Sequence, residues 1–113
     1  MSKVQNILEI NVQEPYLSFI RDGVKTVEGR LNKGKFKEIQ VGDVLIIGSI
    51  EKKYKVVGKN IYNTIFRMVI EEGFEKVIPD KQNPTEAAQV YYKFFTKQQE
   101  EEFGVVAILI TEV

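Results

Sequence analysis

The chain has 113 residues, enough for one domain that buries roughly two-thirds of its unfolded surface without a metal ion or a disulfide. It contains no cysteine and no histidine, which excludes thiol nucleophiles, thiolate zinc sites, disulfides and a histidine proton shuttle. The 16 basic residues balance the 16 acidic ones, so the overall charge does not indicate a polyanionic partner.

We predict neither a metal site nor a cofactor from this composition. No repeat, low-complexity segment or linker interrupts the sequence, so we expect a single domain over residues 1–113. The N-terminus shows no basic stretch leading into an apolar one, and no apolar run approaches the ~20 residues that a membrane helix needs. We therefore expect an intracellular, cytoplasmic protein without membrane contact, and we favour a monomer.

The first half of the chain is dominated by strand patterns. Residues 4–12 alternate apolar and polar side chains, which predicts a half-buried strand. Pro15 suits the first position of a short helix over 16–22, and Gly23 can end that helix. Further strands are predicted over 24–31, 44–50 and 55–61, separated by turns at 32–35, 41–43 and 51–53.

The second half of the chain begins with helical spacing. Apolar residues recur at this spacing over 62–72 and predict a helix there. Asn83 and Pro84 are start signals for a second helix that continues to about Phe95.

A third helix is predicted over 97–102, because Thr96 and Gln99 have the spacing of a capping box. Residues 105–111 are almost continuously apolar, as is typical of a strand buried on both faces. The order is then strand, helix, strands, helices, strand. It fits both a small mixed barrel flanked by helices and an open α+β sandwich, and periodicity alone does not choose between them.

Charge is unevenly distributed along the chain. Residues 21–59 contain ten Lys or Arg against five Asp or Glu, a local balance of +5, whereas residues 60–113 contain five against nine, or −4. Basic side chains release counterions when they bind a polyanion, so the middle of the chain is the candidate phosphate-facing surface. A solvated, lysine-rich hairpin would produce the same pattern.

Residues 23–30 read Gly-Val-Lys-Thr-Val-Glu-Gly-Arg and place three charges at a bend from helix to strand. On an extended strand Glu28 and Arg30 share one face about 7 Å apart, so they can pair, whereas Lys25 joins them only if the strand begins after it. Arg30 would offer a planar fork to a phosphate or a base edge, Lys25 a compact cation, and Glu28 an orienting or accepting carboxylate. The alternative is an ion-pair ladder worth under about 1 kcal/mol if exposed.

This GxKxxExR pattern resembles the signature of the ASCH domains, a branch of the PUA-like superfamily that is associated with RNA. The segments "IPD" at 78–80, "VYYKFF" at 90–95 and "EEEFGVVAILI" at 100–110 extend the likeness over most of the chain. The resemblance implies an α+β fold, a small PUA-like β-barrel of mixed strands flanked by short helices, with a cleft beside the helix over 16–22.

The first functional hypothesis is therefore that the protein binds RNA, or a nucleotide derived from RNA, in a cleft lined by Lys25, Glu28 and Arg30. Further basic residues would follow the phosphate backbone: Lys33, Lys35, Lys52, Lys53 and Lys55. Aromatic rings would stack an unpaired base, although most of them are expected in the core. Because adjacent helical residues cannot share a face, one of Tyr91 and Tyr92 should lie at a rim, and we choose Tyr92.

The second hypothesis is a small hydrolase acting on a modified nucleoside or on RNA. Some small ASCH proteins resemble amidohydrolases that deacetylate acetylcytidine with a lysine, a threonine and a distal carboxylate. Lys25 matches that lysine, but Glu28 replaces the threonine and Thr26 is offset from it, which counts against this reaction. Lys25 and Glu28 would then be the acid–base pair, with Asp80 or Glu86 as a second carboxylate. A third hypothesis, a protein-interaction module of coactivator type, requires the aromatic cluster to form a surface patch.

Overall fold

The computed structural model describes residues 5–113, which form five strands and six helices. In chain order these elements are β1 (Ile7–Ile10), α1 (Tyr16–Arg21), β2 (Val27–Leu31), α2 (Gly34–Glu38), β3 (Val44–Ile47), β4 (Lys53–Tyr62), α3 (Ile65–Glu72), α4 (Phe74–Val77), α5 (Pro84–Tyr91), α6 (Lys97–Phe103) and β5 (Val105–Glu112). The strands form one mixed sheet in the order β1-β3-β4-β5-β2, in which β1 and β3 are parallel and every other neighbouring pair is antiparallel. Val4, which was included in the first predicted strand, lies outside the described residues.

The predicted α+β class is confirmed, but the sheet is not closed into a barrel, so that expectation is wrong. β1 and β2 are the two edges of the sheet and are not paired with each other. Two charged side chains, one on β2 and one on α2, donate hydrogen bonds to backbone carbonyls in and after β1 instead. Lys35 Nζ donates a hydrogen bond to the Glu9 carbonyl at 2.6 Å, and Arg30 Nη2 donates to the Asn11 carbonyl. Carbonyl groups at the β1 edge are thus satisfied without a neighbouring strand, which removes the need for closure.

β5 lies between β4 and the edge strand β2 and contributes side chains to both hydrophobic cores. Its first four residues are buried, and alternate side chains enter two different cores. Val105 and Ala107 pack with α3 and α5 on one face, whereas Val106 and Ile108 pack with β3 and α1 on the other. The prediction of a strand buried on both faces is therefore confirmed.

Capping signals located α5 and α6 in the second half, whereas α3 was predicted from apolar spacing over 62–72 and begins at Ile65. The Thr64 side chain caps α3, the Asn83 side chain caps α5, and Thr96 and Gln99 form the predicted capping box of α6. α5 ends at Tyr91, however, and does not continue to Phe95. No helix of the described part of the chain is long and apolar enough to cross a membrane.

Two short helices were missed. α2 replaces part of the basic turn predicted at 32–35, and α4 follows α3 directly. They contain only 5 and 4 residues, which is too short for apolar periodicity to distinguish a helix from a turn. β2 also begins at Val27, three residues later than predicted, which leaves Lys25 outside the strand.

Candidate ligand cleft

A cleft of about 580 Å³ lies beside the β2 edge of the sheet, between the loop that follows β1 and the end of α5. Its wall combines apolar and aromatic side chains with a group of charged ones. The lining residues are Asn11, Val12, Gln13, Tyr16, Lys25, Glu28, Gly29, Arg30, Leu31, Lys33, Gly34, Lys35, Phe36, Ile78, Val90, Tyr91, Phe94 and Phe95. The cleft therefore contains the three charged residues selected from the sequence.

Lys25 is held at the start of β2 with only 2% of its surface exposed. Its Nζ donates to the Val27 carbonyl at 2.6 Å and to the Val77 carbonyl, and it lies 3.5 Å from Glu28 Oε1. Because the strand begins after it, Lys25 turns to the same side as Glu28 despite its opposite parity. Burial lowers the pKa of Lys25, and the charge of Glu28 opposes that effect.

Glu28 is the centre of the charged group and is 5% exposed. Besides its contact with Lys25, its Oε1 accepts a hydrogen bond from the Gly29 amide at 3.1 Å. Its Oε2 accepts from Arg30 Nη2 at 3.2 Å, so Glu28 and Arg30 do pair with each other. One carboxylate thus fixes two cations and an edge-strand amide.

Arg30 is the most accessible member of this group, with 27% of its side chain exposed. Its guanidinium carbon lies 4.6 Å from the centroid of the Phe36 ring, a cation–π distance. Within the described residues both of its hydrogen bonds, to Glu28 and to Asn11, use Nη2. Its other N–H groups are therefore available to a ligand.

The basic residues predicted to follow a phosphate backbone separate into two sets. Lys33 and Lys35 line the cleft. Lys52, by contrast, lies 3.6 Å from Glu112 in an exposed ion pair, and Lys53 and Lys55 lie on β4, which β5 separates from β2. The cleft and the lysines of β4 are thus different surfaces.

Of the aromatic residues in the segment 90–95, Tyr91, Phe94 and Phe95 line the cleft but Tyr92 does not. The Tyr92 hydroxyl donates to both oxygens of Glu100, at 2.8 Å and 3.0 Å. The stacking role assigned to Tyr92 stays a prediction, and its place in the fold gives it no support.

Gly29 and Tyr91 are the cleft residues that sequence reasoning missed. A Cβ atom at position 29 would stand 2.7 Å from Met68 Cε and 3.0 Å from the Tyr91 hydroxyl. Glycine is therefore what allows Tyr91 and Met68 to approach β2. A glycine inside a predicted strand is a known sign of such close approach, and this signal was available in the sequence.

The side chains considered for hydrolysis are not gathered in the cleft. Its described lining includes Lys25 and Glu28 but not Thr26, Asp80 or Glu86. Asp80 lies close to the cleft residue Tyr16, since burial and then Asp80 raise the pKa of Tyr16 to about 12. Glu86 accepts a hydrogen bond from the Gln82 amide at an exposed site. Among residues 5–113, no cluster of three or more acidic side chains could hold a metal ion.

Comparison with known proteins gives one family. The family model of the ASCH domain matches residues 10–113. The crystal structure of hypothetical protein PH0355 is similar, with 36% identity, a TM-score of 0.89 and coverage of 95% of this chain and 99% of that one. The solution NMR structure of protein PF0455 from Pyrococcus furiosus is also similar, with 34% identity, a TM-score of 0.80 and coverage of 95% and 97%. No curated protein matches the chain.

Proposed function

This chain belongs to the ASCH domain family, and on that premise we propose that it binds RNA, or a nucleotide derived from RNA, in the cleft beside β2. The observation that carries the proposal is the composition of the cleft. Apolar and aromatic walls, a buried charged group and two lysines share one cavity of about 580 Å³. An unpaired nucleotide has the matching chemistry, since it joins a flat apolar base with polar edges to a phosphate.

The size and walls of the cleft suit a single base better than a duplex. Pockets for small ligands typically enclose about 300 to 1,000 Å³ and are mainly apolar, with a few polar groups that fix orientation. Proteins that read single-stranded RNA stack unpaired bases on aromatic rings, and Phe94 and Phe95 supply such rings here. A base in an RNA duplex is stacked between neighbouring bases, so its faces are not free to contact these rings.

The charges of the cleft favour an anionic ligand although the whole chain is neutral. Lys25 and Glu28 offset each other, so Arg30 leaves the buried group with one net positive charge. Lys33 and Lys35 add two more along the cleft. This local concentration predicts binding that weakens as salt is added.

Fluorescence anisotropy with labelled single-stranded RNA, duplex RNA and transfer RNA at two salt concentrations tests the proposal. We expect salt-sensitive binding to the single-stranded probes, and an affinity loss of about tenfold or more for Arg30→Ala. Arg30→Lys keeps the charge but loses the planar fork, so it should restore only part of the affinity. Lys97→Ala is the matched control because Lys97 is an exposed cation outside the cleft. An equal loss in Arg30→Ala and Lys97→Ala contradicts the site.

A hydrolase acting on a modified nucleoside or on RNA is the second candidate, and one observation favours it. Burial lowers the pKa of Lys25 beside a carboxylate, which is how proteins prepare a lysine for acid–base work. Against it, the Lys25 ammonium already has two carbonyls and Glu28 as partners. Turnover of acetylcytidine or RNA that disappears in folded Lys25→Ala and Glu28→Gln proteins would establish this candidate. Turnover unchanged by both substitutions would place any activity elsewhere.

A further inference from the structure

The Tyr91 hydroxyl is a buried polar group with no acceptor for its hydrogen; the Gly29 amide approaches its oxygen but donates to Glu28 Oε1. Within residues 5–113 only two buried side-chain polar atoms form no hydrogen bond of ordinary geometry, the Tyr91 hydroxyl oxygen and Asn32 Oδ1. Tyr91 as a whole is 6% exposed. Buried hydroxyl groups in folded proteins are nearly always hydrogen-bonded, because an unpaired one has lost its water without replacement. An unpaired one beside a cleft is a donor that a ligand can use.

The hydroxyl has almost no exposed surface of its own and lies among residues that line the cleft. Its pKa is raised well above the ordinary value, first by burial and then by the charge of Glu28, while Arg30 and the Gly29 amide oppose the shift. These three neighbours all line the cleft. The hydroxyl therefore keeps its proton near neutral pH. Since the Gly29 amide can approach only the oxygen, the hydroxyl hydrogen is the atom without an acceptor.

The fold keeps this hydroxyl in a fixed position. Tyr91 is the last residue of α5, and its ring centroid lies 6.2 Å from that of Phe95. Gly29 has no side chain to push the hydroxyl away, and Met68 packs beside it with no exposed surface. A donor placed in this way needs little ordering when a ligand arrives.

We propose that the Tyr91 hydroxyl donates a hydrogen bond to a neutral acceptor, a carbonyl oxygen or a ring nitrogen, on the edge of a heterocyclic base. The ligand then enters base first and leaves its phosphate at Lys33 and Lys35. A neutral base edge fits beside Tyr91 because the apolar residues Ile78 and Val90 also line the cleft and the charges of Glu28 and Arg30 offset each other there. The inference rests on the proposed function and adds the orientation of the ligand and the group that reads it.

The first test compares small ligands on wild type and Tyr91→Phe by NMR titration of backbone amides. The probes are uridine, cytidine, guanosine and adenosine, their monophosphates, and inorganic phosphate. We expect at least one nucleoside to bind and its affinity to fall about tenfold in Tyr91→Phe, the usual worth of one buried hydrogen bond. The double variant Lys33→Ala/Lys35→Ala should remove the advantage of a monophosphate over its nucleoside.

The second test uses the neighbouring tyrosine as a matched control. Tyr91→Phe deletes a hydroxyl that has no acceptor for its hydrogen, so its melting temperature should equal or exceed that of wild type. Tyr92→Phe deletes the hydroxyl that donates to the buried Glu100, so it should melt lower and bind nucleosides as wild type does. The same one-atom change at adjacent positions thus gives opposite profiles.

Several outcomes overturn the inference. One is a Tyr91→Phe protein that binds the nucleoside as wild type does, and another is a Tyr92→Phe protein that loses affinity instead. If inorganic phosphate and the monophosphates bind but the nucleosides do not, the phosphate is the group that is recognised and the proposed orientation is wrong. Nucleoside binding that depends on Tyr91 without any binding of RNA supports the inference and rejects RNA as the ligand. Binding of RNA by wild type and Tyr91→Phe alike rejects only the inference, and no binding of any probe rejects both.

Discussion

Two buried carboxylates of this chain have nearly the same exposure and entirely different surroundings. Glu28 is 5% exposed and Glu100 is 7% exposed. Glu100 accepts hydrogen bonds from the Ile65 amide at 2.8 Å and from the Tyr92 hydroxyl, which are both neutral donors. Glu28 lies between two cations and lines a cleft. Burial of a charge therefore does not identify a binding site, whereas cationic partners combined with adjacent open space do.

The physical difference lies in what each carboxylate holds in place. Glu100 fixes the first residue of α3 and a ring of the adjacent core, and protein atoms surround it. Glu28 orients Lys25 and Arg30 at a surface that a ligand can reach. Such preorganised charges cost little further reorganisation on binding, which makes the cleft a place for recognition.

The largest expected effect comes from removing a cation beside Glu28. Lys25→Met leaves Glu28 with one cationic partner and removes the donor from the Val27 and Val77 carbonyls. Loss of one partner from a buried pair costs about 3 kcal/mol or more, and urea unfolding would measure it. Lys33→Met, at an exposed lysine of the same cleft, should stay within about 0.5 kcal/mol of wild type. Similar stabilities for the two variants would mean that the Glu28 group is not a structural unit.

A smaller effect is expected from the matching substitution at the other carboxylate. Glu100→Gln keeps the shape and one acceptor oxygen, to which Ile65 and Tyr92 can both donate, but hydrogen bonds to a charged group become neutral ones, at a cost of about 1 to 2 kcal/mol. RNA affinity should not change, because neither Glu100 nor its partner Tyr92 lines the cleft. Glu28→Gln should lower both stability and affinity. A folded Glu100→Gln protein with weakened RNA binding would break the comparison.

The sequence was sufficient to group Lys25, Glu28 and Arg30, because strand parity and a bend after Gly23 place them locally. It could not decide between Tyr91 and Tyr92, since both are tyrosines in one helix pattern and the choice depends on how α5 turns toward β2. That packing requires Gly29, which is far away in sequence. The open sheet was equally hidden, because it depends on side chains of Arg30 and Lys35 that reach the edge of β1.

Gly29→Ala tests whether space at β2 maintains the cleft. The added methyl group would overlap Met68 Cε at 2.7 Å in a closed core, so we expect a loss of about 1 to 2 kcal/mol on thermal unfolding. Nucleoside affinity should fall as well, because the Tyr91 hydroxyl must move. Gly58→Ala is the matched control, a second strand glycine whose Cβ would lie 3.1 Å from Leu109 Cδ2 and far from the cleft. It should leave affinity unchanged.

The smallest expected effect is a difference in alkaline stability. Burial and the hydrogen bond to Glu100 raise the pKa of Tyr92 to about 12, and burial raises the pKa of Tyr91 well above its ordinary value. An unfolded tyrosine loses its proton near pH 10, so between about pH 10 and 12 the folded state binds more protons than the unfolded state. The resulting stabilisation is complete below pH 10 and is lost as the pH rises through the folded pKa.

Urea unfolding at several pH values above about 9 should therefore show a stability that falls less steeply in Tyr91→Phe and in Tyr92→Phe than in wild type. The ultraviolet absorbance of tyrosinate, compared between wild type and these two variants, should show that Tyr91 and Tyr92 lose their protons at a higher pH than an ordinary tyrosine. A Tyr91 that ionises near pH 10 would mean that water reaches its hydroxyl freely. The sites of Glu28 and Glu100 would then differ only in the charge of their partners, because the Tyr91 hydroxyl beside Glu28 would not be a buried donor.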